Sequence, residues 1–454
     1  MAGIIAISFI LFSAPFFLRL AFQGGLPFGE ESYYSMVLAE RISGGNLSGV
    51  STPYNLLLSL FASFLGVQLA AQLLPIAFGI FSALLFYLIL RRLDNDPLIA
   101  ILSAAFFLTV PSSLYAFSAS TPYSMALFVM LLSFYFFLSK IRVLKGISVI
   151  LASSLVLFGF FPFLLSLVVF SSSVLKNRQK QLLFLSILFL LAFSAWIYSI
   201  ASPQLTFDSL SAYLVADFGG LFGLGMFHII LTVMGIVVMW PHRLSAQPMY
   251  VSVIMVLGGL AFFSVHTIIY AVFAVSFFSA VAVAYMLKHK WESSLIRNLT
   301  LIVVICGVLF STTSYLGRMP DMEPTLEIAE SLEWLGRQPR GQVLSHYSNS
   351  FWIEYFSGQE PVIDQFNRDL VGEEIDSLFA FRNIESAKET LDAYYINYIW
   401  IDNAMKSGEV WQRPEEGMLF LFRNNETFKK LDERYGIETW EYIGSDFPFR
   451  VSFN

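Results

Sequence analysis

The sequence predicts a multi-pass α-helical membrane protein of about eleven hydrophobic segments, followed by a C-terminal α/β soluble domain. Three observations lead there. The chain of 454 residues is 56% hydrophobic and 13% charged, with a mean hydropathy of +0.67. A water-soluble domain carries about 25% charge, and no single core could hide so much apolar surface from water. The apolar residues also fall in runs long enough to cross a bilayer. Finally, the charge is split. Residues 1–316 hold 14 Lys+Arg against 8 Asp+Glu, and residues 317–454 hold 13 against 25, so a part of net +6 precedes one of net −12. That asymmetry marks two parts in two environments. It divides the chain into a membrane domain, 1–316, with an outer loop at 23–67, and an extracytoplasmic domain, 317–454.

Single spans are expected at 3–22, 68–90, 98–114, 122–139, 181–201, 222–240 and 298–316. The first lacks a basic leader and a small-residue cleavage signal, so it reads as a retained helix. Residues 146–175 are flanked by Lys140, Arg142 and Lys145 before and by Lys176, Arg178 and Lys180 after. Positive charge stays in the cytoplasm, so both ends belong inside and the run reads as a hairpin of two short helices broken near Gly159 and Pro162. Residues 248–287, between Arg243 and Lys288 with Lys290, read the same way, turning outside near Ser264 to Thr267. The count puts the N-terminus in the cytoplasm and the acidic tail outside the cell membrane. Arg91 and Arg92 then fall inside as well.

From about Asp321 the apolar period changes. Leu326, Ala329, Leu332 and Leu335 form one helical stripe. Short β-rich runs follow at Gln342–Ser345, Ile396–Ile401 and Met418–Phe422, with helical stretches such as Glu385–Tyr395 between them. Such alternation implies a small α/β domain. Its acidity would repel nucleic acid and anionic headgroups alike, so no nucleic acid is expected as a partner.

The lone cysteine, Cys306, excludes a disulfide framework. The five histidines show no i, i+4 pair that would signal zinc, and no glycine loop cradles phosphate. Acidic residues offer more. Glu30 and Glu31 are adjacent at the outer end of the first span. Tyr33, Tyr34, Val37 and Leu38 follow at helical spacing, which suggests an amphipathic helix along the interface. A carboxylate there could deprotonate an acceptor hydroxyl or hold a metal ion. It could equally be a solvated loop charge beside aromatic anchors. Asp217, with Asp208 in the same outer loop, could act chemically or stabilise the start of the next helix through its dipole. The basic candidates for an anionic lipid phosphate are Arg19, Arg41 and Arg318. Arg19 could instead snorkel, and His266 could bind phosphate or serve packing. Asn46-Leu47-Ser48 and Asn425-Glu426-Thr427 fit the N-glycosylation pattern.

A first helix, an outer loop with an acidic pair and tyrosines, many further helices and an outer soluble domain together resemble the GT-C superfamily of polyprenyl-phosphate-dependent glycosyltransferases. Glu30-Glu31-Ser32-Tyr33-Tyr34 matches that family's first-loop motif of an acid followed by aromatics. The stretch 345–366 resembles the archaeal oligosaccharyltransferase segment built around Trp-Trp-Asp-Tyr-Gly. Ser345, Trp352, Ile353, Val362 and Asp364 fit it, whereas His346, Tyr347, Ser348, Asn349 and Ser350 stand in place of the motif itself. In the family that motif reads the sequon hydroxyl, so its replacement turns the expectation away from asparagine glycosylation. The family's second acidic motif has no counterpart at Ser118–Tyr123.

The resemblance implies transfer of a sugar from a polyprenyl-phosphate donor to an extracytoplasmic lipid, glycan or protein. Glu31 and Glu30 would be catalytic with Asp217. Arg19, Tyr33, Tyr34 and His266 would line the substrates, and a divalent cation, Mg²⁺ or Mn²⁺, would be held by Glu31 and Asp217 if one is used. Two rival readings stand beside it: a GT-C-like scaffold or lipid-binding subunit without catalysis, and a transporter. Transporters place ionisable residues at mid-membrane on broken helices, and the spans here are nearly free of charge.

Overall fold

A computed structural model describes residues 1–45, 52–93, 96–174, 215–220, 223–242, 246–262, 265–413 and 415–444. The expected span 181–201, the basic residues Lys176, Arg178, Lys180 and Arg243, and Asp208, Ser264 and the triplet at 46–48 lie outside them. The chain forms two compact units. One is Met1–Pro27 with Leu38–Asp321, the other Phe28–Val37 with Met322–Asn454.

The first unit is helical, and proline and glycine decide where its helices begin and end. α1 (Ala2–Gln23) stops at Gly24, whose φ of 59° closes the helix in the left-handed region. α2 (Glu30–Ser43) begins in the second unit and ends in the first. α3 (Pro53–Leu65) opens on proline and is followed by α4 (Val67–Arg92). α5 (Pro97–Thr109) is capped by Asp96, which accepts from the Leu98 N–H at 2.9 Å. The expected span 98–114 breaks at Val110, because Pro111 cannot continue the helix and holds the residue before it extended. α6 (Pro111–Ala116) and α7 (Pro122–Phe137) follow. The run 146–175 does break at Gly159, φ 142°, between α8 (Arg142–Ser154) with its 3₁₀ extension and α9 (Phe160–Val174). α10 (Met226–Met239), α11 (Gln247–Phe262), α12 (Val272–Lys288) and α13 (Ser294–Arg318) complete the unit.

Among the described residues four helical stretches are long and apolar enough to cross a membrane: Ala2–Gln23, Val67–Arg92, His266–Lys288 and the one beginning at Ser294. Shorter apolar helices make up the rest. α1 and α13 leave Ile, Leu and Phe side chains uncovered, such as Ile10 and Leu295, as lipid-facing helices do. α12 has similar composition but is enclosed up to its last turn, where Tyr285 and Leu287 are exposed. Lipid is as apolar as leucine, so helices here gain from close packing of small residues. At Gly235 on α10 a Cβ would stand 1.9 Å from the Phe278 carbonyl oxygen of α12.

The second unit holds α14 (Leu326–Leu335), which buries the expected stripe except for Leu326. A five-stranded sheet follows: β1 (Gln342–Leu344), β2 (Glu360–Pro361), β3 (Ile396–Ile401), β4 (Phe428–Arg434) and β5 (Ile437–Tyr442), in the order β2-β1-β3-β5-β4. β1 runs parallel to β2 and β3, and β5 runs antiparallel to β3 and β4. α15 (Ser350–Trp352) continues as a π-helical turn, and α16 (Arg368–Ala380) and α17 (Ile384–Ala393) connect strands. The expected strand at 418–422 is instead a helical turn, α18 (Met418–Leu421). A short apolar run reads as helix or strand by composition alone. The strands lie in the polar-looking segments after it, joined at Tyr435 and Gly436, both at positive φ. Leu344, Ile375, Ile399 and Trp411 belong to the core, where the Trp411 indole donates to the Phe379 carbonyl.

Candidate active site

The acidic pair opens α2. Glu30 and Glu31 occupy its first turn, where free N–H groups favour negative charge. Gly29 donates to the Glu323 carbonyl at 2.9 Å, which ties the start of the helix to the second unit. The helix does not expose its aromatics as interface anchors. Tyr33 is fully buried, with its ring 5.2 Å from those of Tyr355 and Phe356. Tyr34 packs between Phe351 at 4.9 Å and Phe366 at 5.1 Å. Val37 and Leu38 are buried as well. The amphipathic spacing is real, but its apolar side packs on protein.

Nor is Glu30 a solvated loop charge. Gln365 Nε2 donates to its Oε2, while Oε1 is sealed from solvent and meets no donor among the described residues. Burial pushes the Glu30 carboxyl well above the usual range. The Gln365 hydrogen bond opposes this, and the charges of Glu31, Glu409 and Asp364 add to it. Gln365 is held by a short rigid loop, in which Asp364 Oδ1 accepts from the N–H groups of Phe366 and Asn367 at 2.8 and 2.9 Å. Asn367 Oδ1 accepts from Asp364 N at 2.8 Å in return.

Three of the residues standing in place of the family's tail motif, His346, Ser348 and Asn349, are tied to the acids Glu409 and Asp402. His346 Nδ1 lies 2.7 Å from Ser348 Oγ and 3.0 Å from Glu409 Oε1, and Ser348 donates to the same oxygen at 3.2 Å. Asn349 Nδ2 donates to Asp402 Oδ2 at 2.9 Å, and Asp402 Oδ1 takes the Met405 N–H at 2.7 Å. Burial raises the Asp402 carboxyl. For Glu409, burial is outweighed by the hydrogen bond and charge of His346, and its carboxyl falls below the ordinary value. Sequence reasoning missed Gln365, Asp402 and Glu409. Nothing in the local pattern marks them, and Gln365 is 335 residues from its partner.

The other expected site residues lie in the first unit. Arg19 is buried and donates to the carbonyls of Leu26 at 2.9 Å, Pro27 at 3.2 Å and Met319 at 3.3 Å. These bonds hold the guanidinium against the backbone, where snorkelling would have released it toward water. Asp217 Oδ2 accepts from the Met226 N–H at the start of α10 at 2.7 Å and from Ser311 Oγ at 2.9 Å, while its Oδ1 is sealed and meets no donor among the described residues. That geometry fits the helix-start role. His266 is buried and stacks on Tyr123 at 5.7 Å and 15°. Among the described residues no three His, Cys, Asp or Glu side chains gather as a metal-ligand set.

No family model and no curated protein sequence matches the chain. Solved structures do. The archaeal oligosaccharyltransferase AglB of Archaeoglobus fulgidus, in complex with an inhibitory peptide and a dolichol-phosphate, superposes with a TM-score of 0.62 at 13% identity, over 99% of this chain and 75% of that one. ArnT from Cupriavidus metallidurans in the apo state gives 0.61 at 11% identity, over 97% of both chains. This chain has the GT-C fold. The same ArnT bound to undecaprenyl phosphate gives 0.58 over the same shares of both chains. An AglB crystal with Zn and sulfate gives 0.60 at 14% identity. At these identities the likeness carries the GT-C architecture, a multi-pass membrane part followed by a soluble domain, and the chain is accordingly a membrane protein.

Proposed function

We propose that this GT-C chain transfers a sugar from a polyprenyl-phosphate donor to an acceptor outside the cytoplasm, with the Glu30–Glu31 pair as its working carboxylates. The observation that carries this reading is the Glu30 carboxyl: buried at the start of α2, held at Oε2 by Gln365 and, among the described residues, without a donor at Oε1. A general base works best when its proton affinity is lifted toward the ambient pH, and burial lifts that of Glu30. In the proposed step Glu30 takes the proton of the acceptor nucleophile, which attacks C1 of the sugar. The C1–O bond to the lipid phosphate breaks, and the lipid phosphate departs. Glu31 adds negative charge beside Glu30 that favours proton uptake. The fold's lipid-bound representatives, AglB with dolichol-phosphate and ArnT with undecaprenyl phosphate, support the class of donor. The segment 346–349 supports an acceptor other than a sequon peptide.

The test is transfer of labelled sugar from polyprenyl-phosphate donors by detergent-purified protein. Glu30→Gln should lose about 10²–10⁴ in rate with donor binding kept. Activity that survives Glu30→Gln, Glu31→Gln and Asp217→Asn within about threefold, against the 10²–10⁴ expected for a base, would sink the assignment. One observation favours a non-catalytic, lipid-binding scaffold: Asp217 spends its Oδ2 on Met226 and Ser311. That reading leads if the wild type binds donor lipid and transfers nothing.

A further inference from the structure

We propose that Asn425 is a site of N-linked glycan attachment on this protein. The inference rests on the outward orientation of the tail and is independent of the transferase reading. Asn425-Glu426-Thr427 carries the Asn-x-Thr pattern, and the structure adds three observations to it. Asn425 and Glu426 are exposed in the turn between α18 and β4. The turn is closed by its neighbour: Asn424 O accepts from the N–H groups of Thr427 at 3.1 Å and Phe428 at 2.9 Å, and Asn424 Oδ1 accepts from Glu426 N at 3.0 Å. The Asn425 amide itself makes no hydrogen bond with any described residue, so a glycan on Nδ2 displaces no contact of the fold. Glycans attach to surface loops for this reason.

Thr427 sets the order of events. It is 2% exposed, and its carbonyl accepts from Ile443 N at 2.8 Å, which pins it to the residue after β5. An enzyme that reads the Thr hydroxyl cannot reach it in the folded domain. The sequon is therefore modified on the extended chain, before the β4–β5 hairpin closes, and the folded domain then carries the sugar at the exposed Asn425. The co-reactant is a lipid-linked glycan and the catalyst a separate sequon-reading oligosaccharyltransferase. Asn425 Nδ2 attacks C1 of the reducing-end sugar, the C1–O bond to the lipid-borne phosphate breaks with that phosphate leaving, and a base of the enzyme takes the Nδ2 proton.

The experiment is glycopeptide mass spectrometry on the full chain purified from its native membranes. The peptide containing Asn425 should carry hexose or N-acetylhexosamine mass, lost in Asn425→Gln and kept in Thr427→Ser. Asn425→Gln changes an exposed side chain, so its melting temperature reports whether folding is intact. In parallel, Glu415→Cys in a Cys306→Ser background is labelled on intact cells with a membrane-impermeant maleimide. Labelled but unmodified protein overturns the proposal while the orientation stands. Protein neither labelled nor modified overturns both. Modification of the purified, folded Asn425 by a sequon-reading transferase with its lipid-linked donor would overturn the order of events.

Discussion

Burying a charged side chain is costly unless its bonds are made, and Arg19 shows a burial in which they are. Arg19 spends its guanidinium on three carbonyls at the end of α1 and at Met319. Arg19→Leu strips those carbonyls of their donors. At about 1–3 kcal/mol per unsatisfied buried group, the melting temperature of the purified protein should fall clearly. An unchanged melting temperature with weakened donor-lipid binding would instead return Arg19 to the phosphate role the sequence suggested. Glu323 is exposed, yet enough protein lies near its carboxyl to matter. Burial, then the charges of Asp402 and Glu409, push its carboxyl to about 7. A carboxyl raised on folding stabilises the folded state below its unfolded value, and this contribution is lost as pH rises through about 7. Glu323→Gln should therefore gain stability relative to wild type between pH 5 and pH 8. Solvent screening keeps the gain below about 1 kcal/mol. A difference in melting temperature that stays flat across that range would contradict the assignment.

Helix contacts in the membrane unit depend on how closely backbones approach. α10 and α12 meet at Gly235, where a Cβ would sit 1.9 Å from a backbone carbonyl that cannot rotate away. Gly235→Ala should push the helices apart and cost at least about 1–3 kcal/mol as overpacking. Gly258 on α11 has nothing within 4 Å of its Cβ position. Gly258→Ala should be neutral or gain about 0.5–1 kcal/mol from helix entropy. Thermal melts of the two variants in the same detergent give the comparison, and equal losses would mean that the close approach is not what holds the pair. In the second unit, the Asp364–Asn367 loop makes Gln365 a fixed donor to Glu30. Gln365→Leu should lower the maximal transfer rate more than it raises the apparent KM. Loss of stability with the kinetic constants unchanged would make the contact purely structural.

At the scale of the whole molecule, the split of charge predicts which side each part occupies. The tail should react from outside, and residues 140–145 with 176–180 should both react from inside. With a single native cysteine, one substitution at a time in a Cys306→Ser background gives a clean accessibility map. Labelling of position 178 from outside alone would break the hairpin reading of 146–175.

Composition, run length and the charge split made the membrane helices, the acidic tail and the GT-C likeness legible, because these depend on periodicity and on local environment. Gly159 marked a helix break for the same reason, since backbone preferences act within one or two residues, whereas the break at Pro111 falls inside the expected span 98–114. The adjacent acids and the tyrosines of α2 were also legible as a pattern, but their surroundings were not. That Tyr33 and Tyr34 pack on 351–366 and that Gln365 holds Glu30 are long-range pairings with no local signature, whereas the bond of Asp217 to the start of α10 is one of the two roles its place before a helix offered. The run 418–422 shows the same limit inside the tail, since its helical turn was set by packing and not by composition. The sequence by itself determined which segments are apolar helices and where the acidic tail begins, because hydrophobicity and charge sum over a segment's own residues. Tertiary structure alone decided which carboxyl is buried and which polar atom meets it, because desolvation and hydrogen bonding depend on neighbours that the chain brings together only when folded.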